Sequence, residues 1–336
     1  MAEFIEVEGV VVVRAVRVHE FGGPEVLVAE EVADPVAAAG QVVVGMDAAD
    51  VIFLDTLLRG GWGREFFPRH PPYVPGGGGA GYVLSVGDGV DPAWVGRHVV
   101  ARGSAGYAER IAFSAEEIVA VPDGVSSAEA AAMVHDGVTA LSLARGAKIQ
   151  EGEWVLVAAA TGGAGSLLVQ LARDAGARVV AAARGERKLA LARELGAEVA
   201  VDYSQDGWQH RVPQVDLAFD GAGGPLGKIV FETVAEGGRF VTYGTSDGFA
   251  DIDPEVAARR QVHVENALAD GPPDPASVRE LLTEALALTA QGRIRPHIGA
   301  TYPLARADEA HRSLEARTTL GKSLLLTAAA AGPSAP

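Results

Sequence analysis

The sequence predicts an α/β protein in which a doubly wound parallel sheet is combined with a second, β-rich domain. The first observation is a strand, a turn and a helix in direct succession: an apolar run at Trp154–Ala158, glycines at Thr161–Gly165 and an apolar helix face at Leu167–Ala172. The second is that strands and helices alternate from there on, which favours a parallel sheet covered on both faces. The third is that the chain before it reads as strands and turns.

The β-rich part comes first along the chain. Roughly the first 120 residues alternate short apolar runs with turns that contain Gly and Pro. The predicted strands are Arg14–Val18, Val26–Ala29, Gln41–Met46, Tyr82–Val86 and Arg97–Ala101. Between Pro68 and Gly81 the Gly and Pro content is too high for a packed strand, so the sequence predicts a loop there. Ser126 and Glu129 form a capping box, which predicts the first helix.

Further strands follow the glycine-rich turn. They are predicted at Ala177–Ala183, Val215–Phe219 and Arg239–Tyr243. Ligands of parallel sheets bind beyond the carboxyl ends of the strands, so the turns at Gly221 and Gly244 are expected to line the same crevice as the first turn. Ser277 and Glu280 form a second capping box, which predicts the start of a long helix.

The glycine-rich turn is suited to a dinucleotide. Its backbone N–H groups can approach a phosphate, and the helix that follows adds a positive partial charge. Gly162 and Gly165 match two positions of the dinucleotide fingerprint. NAD enzymes place an acidic residue at the end of the second strand, but this chain has Ala183 and Arg184. A guanidinium can bind a 2′-phosphate, so the expected cofactor is NADP(H).

A plainer interpretation of Arg184 and Lys188 is a solvated helix start. Two cations in a first helical turn oppose the helix dipole, which makes this interpretation less favourable.

The composition argues against several classes of partner and of active-site chemistry. A net charge of −16 argues against nucleic acid and anionic membranes as partners. The chain has no cysteine, which excludes thiolate catalysis and Cys-ligated zinc, and no two of its histidines are four residues apart, so no metal site is expected. No segment has the ~20 continuous apolar residues of a membrane helix. We therefore expect a cytoplasmic protein with tails at residues 1–12 and 329–336.

An ordered series of motifs resembles the quinone oxidoreductases, the zinc-free branch of the medium-chain dehydrogenase/reductase superfamily that includes zeta-crystallin. The motifs are Val13–Leu27, Asp55–Gly61, Gly137–Ala140, the glycine-rich turn, Leu191–Ala197, Val201–Tyr203, Gly237–Arg239, Tyr302–Leu304 and Ala310–Glu315. The resemblance extends over nearly all of residues 13–327. It implies a GroES-like catalytic domain of residues 13–140 and 274–328 around a Rossmann NADP(H)-binding domain of residues 141–273.

The resemblance also implies an activity and an assembly. Members of the branch transfer a hydride from NADPH to a quinone or to an α,β-unsaturated carbonyl compound, a small-molecule substrate. In similar proteins the last Rossmann strand, here near Gln261–Ala267, pairs with its copy, so we expect a homodimer.

The resemblance assigns site residues by position. The cofactor-binding positions are Thr139, Thr161, Gly162, Gly163, Ala164, Gly165, Arg184, Lys188, Tyr203, Gly221, Gly244, Asn266 and Lys322. The substrate-pocket positions are Ile52, Leu57, Trp62 and Tyr73. For Lys322 the alternative is a surface cation near the tail.

Several positions depart from the pattern of the branch. Asn is usual at Ile52 and an aromatic residue is common at Leu57, so the expected substrate is bulky and apolar, such as a polycyclic quinone or a biosynthetic enoyl compound. The acidic residue that is usual within Gly76–Gly79 is absent.

His135 and Asp136 stand where apolar or amide residues are common. As a catalytic pair they would supply or relay the proton that must follow hydride addition, because histidine titrates near neutrality and a carboxylate can orient it. The alternative is a histidine packed at a helix end beside an exposed aspartate, since adjacent residues of a helix do not face each other.

Two further functions stay open at this point. The chain could keep the fold and cofactor site for a different, even non-redox, reaction, because a fold does not determine a reaction. It could also be a non-catalytic nucleotide-binding protein.

Overall fold

A computed structural model describes residues 12–269, 271 and 274–328. The expected tails therefore lie outside the described residues, apart from Val12. The chain forms two compact units. Of the described residues, the first unit contains those up to His135, Leu282–Ala290 and those from Ile298 onward; the second contains those between Asp136 and Leu281 and Gln291–His297.

The helices and strands of the described residues are numbered in chain order. The strands are β1 Val12–Val18, β2 Leu27–Ala33, β3 Gln41–Val51, β4 Gly78–Val86, β5 His98–Arg102, β6 Arg110–Ser114, β7 Ile118–Ala120, β8 Trp154–Ala158, β9 Arg178–Ala183, β10 Val199–Asp202, β11 Val215–Asp220, β12 Val234–Thr242, β13 His263–Asn266, β14 Ile298–Pro303 and β15 Lys322–Leu326. The helices are α1 Phe53–Arg59, α2 Ser127–Met133, α3 Asp136–Ala147, α4 Gly163–Asp174, α5 Glu186–Glu194, α6 Gly224–Glu232, α7 Pro254–Arg259, α8 Pro275–Ala290 and α9 Ala307–Glu315. Among these helices, none combines the length and the hydrophobicity that crossing a bilayer requires.

The first unit is built on β-sheets. Strands β1 and β2 form an antiparallel pair, and a seven-stranded sheet has the order β14-β15-β3-β4-β5-β7, with β6 also paired to β3. Its core contains alternate residues of the paired strands, such as Val42, Val44 and Val83, together with Phe113 and Ile118. This spacing follows from the period of two along a strand.

The predicted loop from Pro68 to Gly81 is wrong at its end, because β4 begins at Gly78 and its residues 78–81 are buried. A Cβ at Gly79 would lie 2.2 Å from the carbonyl oxygen of Ala48, and one at Gly81 would lie 1.9 Å from that of Gly45. The neighbouring backbone approaches too closely for any side chain. These glycines permit the strand to pack and do not interrupt it.

The second unit contains a parallel six-stranded sheet in the order β10-β9-β8-β11-β12-β13. The order reverses between β8 and β11, which is the topological switch point of a doubly wound sheet. Apolar residues of these strands, such as Leu156, Val180 and Phe240, are buried with Trp208 in one core. The predicted α/β class with a doubly wound sheet is confirmed.

The bounds of the two units differ from the expected domains. The first unit ends at His135, because α3 packs on α4 within the second unit. Residues 275–281 also belong to the second unit. The predicted capping box at Ser277 is wrong: α8 begins earlier, and the carboxylate of Asp274 accepts hydrogen bonds from the backbone N–H groups of Ala276 and Ser277. The box at Ser126 and Glu129 is confirmed.

Candidate active site

The glycine-rich turn connects β8 to α4 at the switch point of the sheet. Ala159 adopts a left-handed backbone with φ +55°, and Gly162 is the N-cap of α4. A Cβ at Gly165 would lie 2.4 Å from the carbonyl oxygen of Ala159, so only glycine lets the helix pack so close to the strand. Because the N-cap has no side chain, it leaves the N–H groups of the first helical turn to a ligand. The turn therefore fits a pyrophosphate.

Two more turns follow the neighbouring strands β11 and β12, as predicted. A Cβ at Gly244 would lie 2.3 Å from the carbonyl oxygen of Gly221, and one at Gly221 would lie 2.4 Å from the hydroxyl of Tyr243. That hydroxyl donates a 3.0 Å hydrogen bond to the carbonyl oxygen of Ala158, and burial raises the pKa of Tyr243. Tyr243, absent from the predicted site, thus ties β12 to β8 beneath the glycine-rich turn.

The end of β9 carries the predicted Arg184. Its guanidinium lies 5.8 Å from the ring centroid of Tyr203 and is exposed to solvent. Lys188 lies in the first turn of α5, which begins after Gly185. The structure therefore brings the three residues predicted for the 2′-phosphate to the same end of the sheet. Arg184 is also exposed, as the plainer interpretation of a solvated helix start expects.

A carboxylate missed by the sequence analysis, Asp202, lies beside this group. Asp202 pairs with Ala183 in the register of β10 and β9. It accepts hydrogen bonds from the N–H of Gly185 at 3.0 Å and from the backbone and hydroxyl of Ser204. Its pKa is lowered, first by the Ser204 hydroxyl and also by the charge of Arg184. The spacing of Asp202 and Ser204 is a signal for such a turn.

Other predicted cofactor residues of the second unit lie on three elements. Thr161 is buried in the glycine-rich turn with Gly163 and Ala164 beside it, and Thr139 is half-buried on α3. Asn266 is exposed on the edge strand β13, where its side-chain oxygen accepts a hydrogen bond from the N–H of Leu268.

His135 and Asp136 are separated in their contacts. A Cβ at Gly163 would overlap the carboxylate of Asp136, so this carboxylate lies at the start of α4. The Nδ1 atom of His135 lies 2.5 Å from Oδ2 of Asp50, a carboxylate that the sequence analysis missed. The expectation that Asp136 orients His135 is therefore wrong. The carboxylate that contacts His135 is that of Asp50, which lies 85 positions earlier in the chain.

The first unit places Lys322 in the same cluster. Its ammonium forms an ion pair with Oδ1 of Asp50, and only 3% of Lys322 is exposed. The alternative of a surface cation is thus wrong. Burial alone would raise the pKa of Asp50, but the charge of Lys322 and the hydrogen bond to His135 hold it below the usual value. We call these three residues, Asp50, His135 and Lys322, the open cluster, because the side chain of His135 is 16% exposed.

The four predicted substrate residues lie in the first unit. Ile52 precedes α1 and donates its N–H to Asp55, while Leu57 is half-buried on α1. Trp62 is 52% exposed and stacks on Phe67 with ring centroids 6.4 Å apart. The ring of Tyr73 instead packs against a core cluster, and its buried hydroxyl has no hydrogen-bond partner among the described residues.

A second cluster of polar residues lies in the same unit, and all of its members except Glu315 are buried. The Tyr107 hydroxyl is 3.1 Å from Oδ2 of Asp55 and 2.9 Å from Nε2 of His311. Arg59 contacts Nδ1 of His311 at 3.2 Å and forms an ion pair with Glu315. Burial raises the pKa of Asp55 to about 6 and, with the Arg59 charge, lowers that of His311 to about 3. We call these five residues the sealed cluster.

The composition predicts that the chain has no metal site. The side chains of the described residues can be searched for one. Among them, no three His, Cys, Asp or Glu side chains gather in a group that could hold a metal ion.

Comparison with known families agrees with this architecture. The chain matches the family "Alcohol dehydrogenase GroES-like domain" over residues 38–141 and the family "Zinc-binding dehydrogenase" over residues 195–325. A GroES-like unit combined with a Rossmann sheet defines a medium-chain dehydrogenase/reductase. The predicted GroES-like and Rossmann domains are thereby confirmed as folds.

Relatives that match over nearly their full length identify the branch of this superfamily. Quinone oxidoreductase of Rattus norvegicus is 30% identical over 93% of this chain and 97% of its own length. A 2-haloacrylate reductase of Burkholderia is 29% identical over 94% of this chain and 99% of its own length. The structure of the Escherichia coli quinone oxidoreductase in complex with NADPH has a TM-score of 0.84 and 28% identity, and the match covers 93% of this chain and 99% of that one. The chain belongs to the zinc-free quinone oxidoreductase branch.

Proposed function

We propose that this protein is an NADPH-dependent, metal-free reductase of quinones or α,β-unsaturated carbonyl compounds. The observation that carries the proposal is the glycine-rich turn of Gly162 and Gly165 at the switch point of the parallel sheet, with Arg184 at the end of the next strand. A mycobacterial relative of known structure, 31% identical with a TM-score of 0.83 over 93% of this chain, was also solved with NADPH.

The choice of NADPH over NADH rests on charge. Arg184, Lys188 and Tyr203 offer two cations and a phenol ring where a 2′-phosphate would bind. The carboxylate beside them, that of Asp202, already accepts hydrogen bonds from Gly185 and Ser204. It is therefore directed to the backbone instead of a ribose hydroxyl. The remaining predicted contacts, from Thr139, Asn266 and Lys322 among others, belong to the same proposal.

The reaction needs a hydride and a proton. Bound NADPH supplies the hydride, and the acceptor that takes it up carries a negative charge on oxygen until one proton arrives. His135 supplies that proton from its exposed imidazole edge. The carboxylate of Asp136, which lies at the start of α4, has no part in this proton transfer.

The proposed substrate is bulky and apolar. Ile52 and Leu57 replace more polar or aromatic residues, and Trp62 presents a half-exposed indole stacked on Phe67. The 2-haloacrylate reductase among the relatives supports an activated double bond as one acceptor class. A polycyclic quinone and an extended enone are the first acceptors to test.

The cofactor assignment is tested by titrating the protein with NADPH and with NADH, followed by fluorescence. We expect NADPH to bind at least about tenfold more tightly, which corresponds to about 1.4 kcal/mol. Arg184→Ala should remove this preference by weakening NADPH only. Arg187→Ala, which deletes an exposed arginine of the same helix start, should change neither affinity.

The acceptor panel then separates the alternative functions. Oxidation of NADPH by quinones or enones supports the proposal. Tight NADPH binding without turnover on any acceptor would indicate a non-catalytic nucleotide-binding protein or a different reaction on the same fold. Equal affinity for both cofactors, or binding of neither, would contradict the proposal.

The proposal extends to assembly and location. Strand β13 forms one edge of the six-stranded sheet, and its four residues are exposed. An exposed strand edge can pair with its copy, so we expect a homodimer, and a monomeric mass in solution would contradict it. The cytoplasmic location stays a prediction.

A further inference from the structure

Asp50 is an unusual place for a charge. It lies at the end of the central strand β3, opposite Leu324 of β15 in the register, and only 1% of it is exposed. Taking a carboxylate out of water costs several kcal/mol unless partners compensate. Two partners do so, one on each carboxylate oxygen.

The two partners have different tasks. The ammonium of Lys322 binds Oδ1 and is itself buried, so the charge of Asp50 is already neutralised by this pair. The imidazole of His135 binds the other oxygen, Oδ2, at 2.5 Å. A carboxylate accepts hydrogen bonds and cannot donate them, so Nδ1 of His135 must carry its hydrogen. Asp50 and Lys322 together therefore determine which ring nitrogen faces away from the carboxylate, namely Nε2.

Gly77 shows where Nε2 lies. A Cβ at Gly77 would be 2.7 Å from Nε2 and 2.5 Å from Cε1 of His135. Gly77 does not have a positive φ, so its backbone conformation does not itself require glycine. The ring is the reason that a side chain does not fit. The missing side chain keeps the Nε2 edge uncovered, which agrees with the partial exposure of His135.

We propose that Asp50 and Lys322 are positioning residues that hold His135 with Nδ1 protonated and Nε2 available for proton delivery. This inference rests on the proposed function. The protonated ring transfers its Nε2 proton to the oxygen anion left by hydride addition, which forms one O–H bond and breaks one N–H bond. The ring remains neutral with hydrogen on Nδ1 and regains a proton from solvent. Two other charges act on these groups. Arg102 of β5 interacts with Asp50, and Asp55 of α1 interacts with His135.

The test uses the full-length protein labelled with ¹⁵N in its histidines. The NMR shifts of the two ring nitrogens report the tautomer of His135 without any substrate. The double variant Asp50→Asn with Lys322→Met removes both charges at once, since Asp50→Asn alone would leave Lys322 buried without its counter-charge. We expect hydrogen on Nδ1 in the wild type and a shift toward hydrogen on Nε2 in the double variant.

The kinetic part measures kcat and KM separately. A lost proton donor reduces kcat at saturating NADPH by about 10²-fold, the lower range for general acid catalysis. The NADPH affinity of the double variant is titrated separately, because Lys322 is also a proposed cofactor contact. The matched control, Lys228→Met with Asp251→Asn, removes an exposed ion pair of the other unit and should change nothing. If the double variant does not fold, Gly77→Ala is tested instead. The added methyl group covers Nε2 of His135 and leaves Asp50 unchanged. This variant should keep hydrogen on Nδ1 and reduce kcat.

Three results would overturn the inference: an unchanged tautomer in the double variant, an unchanged kcat there, or a Gly77→Ala variant with full kcat. A wild type that oxidises no NADPH with any acceptor would instead contradict the proposed function, and the tautomer measurement would then decide alone whether Asp50 and Lys322 orient the ring.

Discussion

The open cluster and the sealed cluster contain the same kinds of residue and differ in what reaches solvent. Each has a histidine, a buried aspartate and a cation within the first unit. His135 is 16% exposed, whereas His311 is fully buried. The comparison separates a histidine with an available nitrogen from one whose two nitrogens are both in use.

In the sealed cluster the hydrogen bonds determine the tautomer of His311. Arg59 donates to Nδ1 of His311, so Nε2 carries the hydrogen and donates it to the Tyr107 oxygen. The Tyr107 hydroxyl in turn donates to Asp55. With its pKa lowered to about 3, His311 is neutral at physiological pH. Neither ring nitrogen of His311 is therefore free for chemistry, and the sealed cluster stabilises the fold.

The largest expected effect comes from breaking the sealed cluster at Arg59. Arg59→Met leaves two acceptors, Nδ1 of His311 and the carbonyl oxygen of Gly22, without their donor, and it removes the ion pair with Glu315. We expect the free energy of unfolding to fall by about 3 kcal/mol, because unsatisfied acceptors inside the protein are costly. Urea denaturation measures it. The control Arg14→Met removes an exposed ion pair with Glu109 and should cost less than about 1 kcal/mol. Equal losses in the two variants would mean that the sealed cluster does not stabilise the fold.

An effect that depends on pH, and that is smaller for each pH unit, is expected for His311→Gln. His311 binds a proton in the unfolded chain below about pH 6.5 but stays neutral in the folded protein down to about pH 3. The unfolded state thus binds more protons over this range, and the wild type loses stability as the pH falls. Glutamine does not titrate. The stability of the variant relative to the wild type should therefore rise by about 1.4 kcal/mol per pH unit as the pH falls below that of free histidine.

Urea denaturation of both proteins at three pH values between those limits checks this slope. Asp55, with its pKa raised to about 6, has the opposite sign, because it stabilises the folded state as the pH falls from about 6 toward 3.8. It is present in both proteins and cancels in their difference to first order. Parallel stability curves for wild type and variant would contradict the assignment of His311 as a buried neutral group.

Local patterns in the sequence were sufficient to predict the position of the glycine-rich turn in the sheet. A strand, a glycine-rich turn and a helix are adjacent in the chain, so the sequence alone predicts where Gly162, Gly165 and Arg184 lie in the sheet. The capping box at Ser126 is likewise a local signal, and it is confirmed. Where a local signal failed, as in Gly78–Gly81, the cause was the close approach of a neighbouring strand, which the sequence of one strand does not reveal.

The open cluster could not be predicted in the same way. Asp50 and His135 are 85 positions apart, and Tyr107 and His311 of the sealed cluster are 204 apart. Asp136 was the natural partner for His135 in sequence because it is the next residue. The tertiary fold determines the partner of His135 instead, since a helix directs adjacent side chains to different sides.

The central claim is that His135 delivers the proton, and the most direct test is the pH profile of kcat for wild type and His135→Gln. We expect the wild-type kcat to change between about pH 6 and 9, as it does in reactions that depend on a side-chain general acid. The variant should be slower by at least about tenfold at the lower pH and should lose that dependence, with its NADPH affinity unchanged. A variant with the kcat and pH profile of the wild type would contradict the claim.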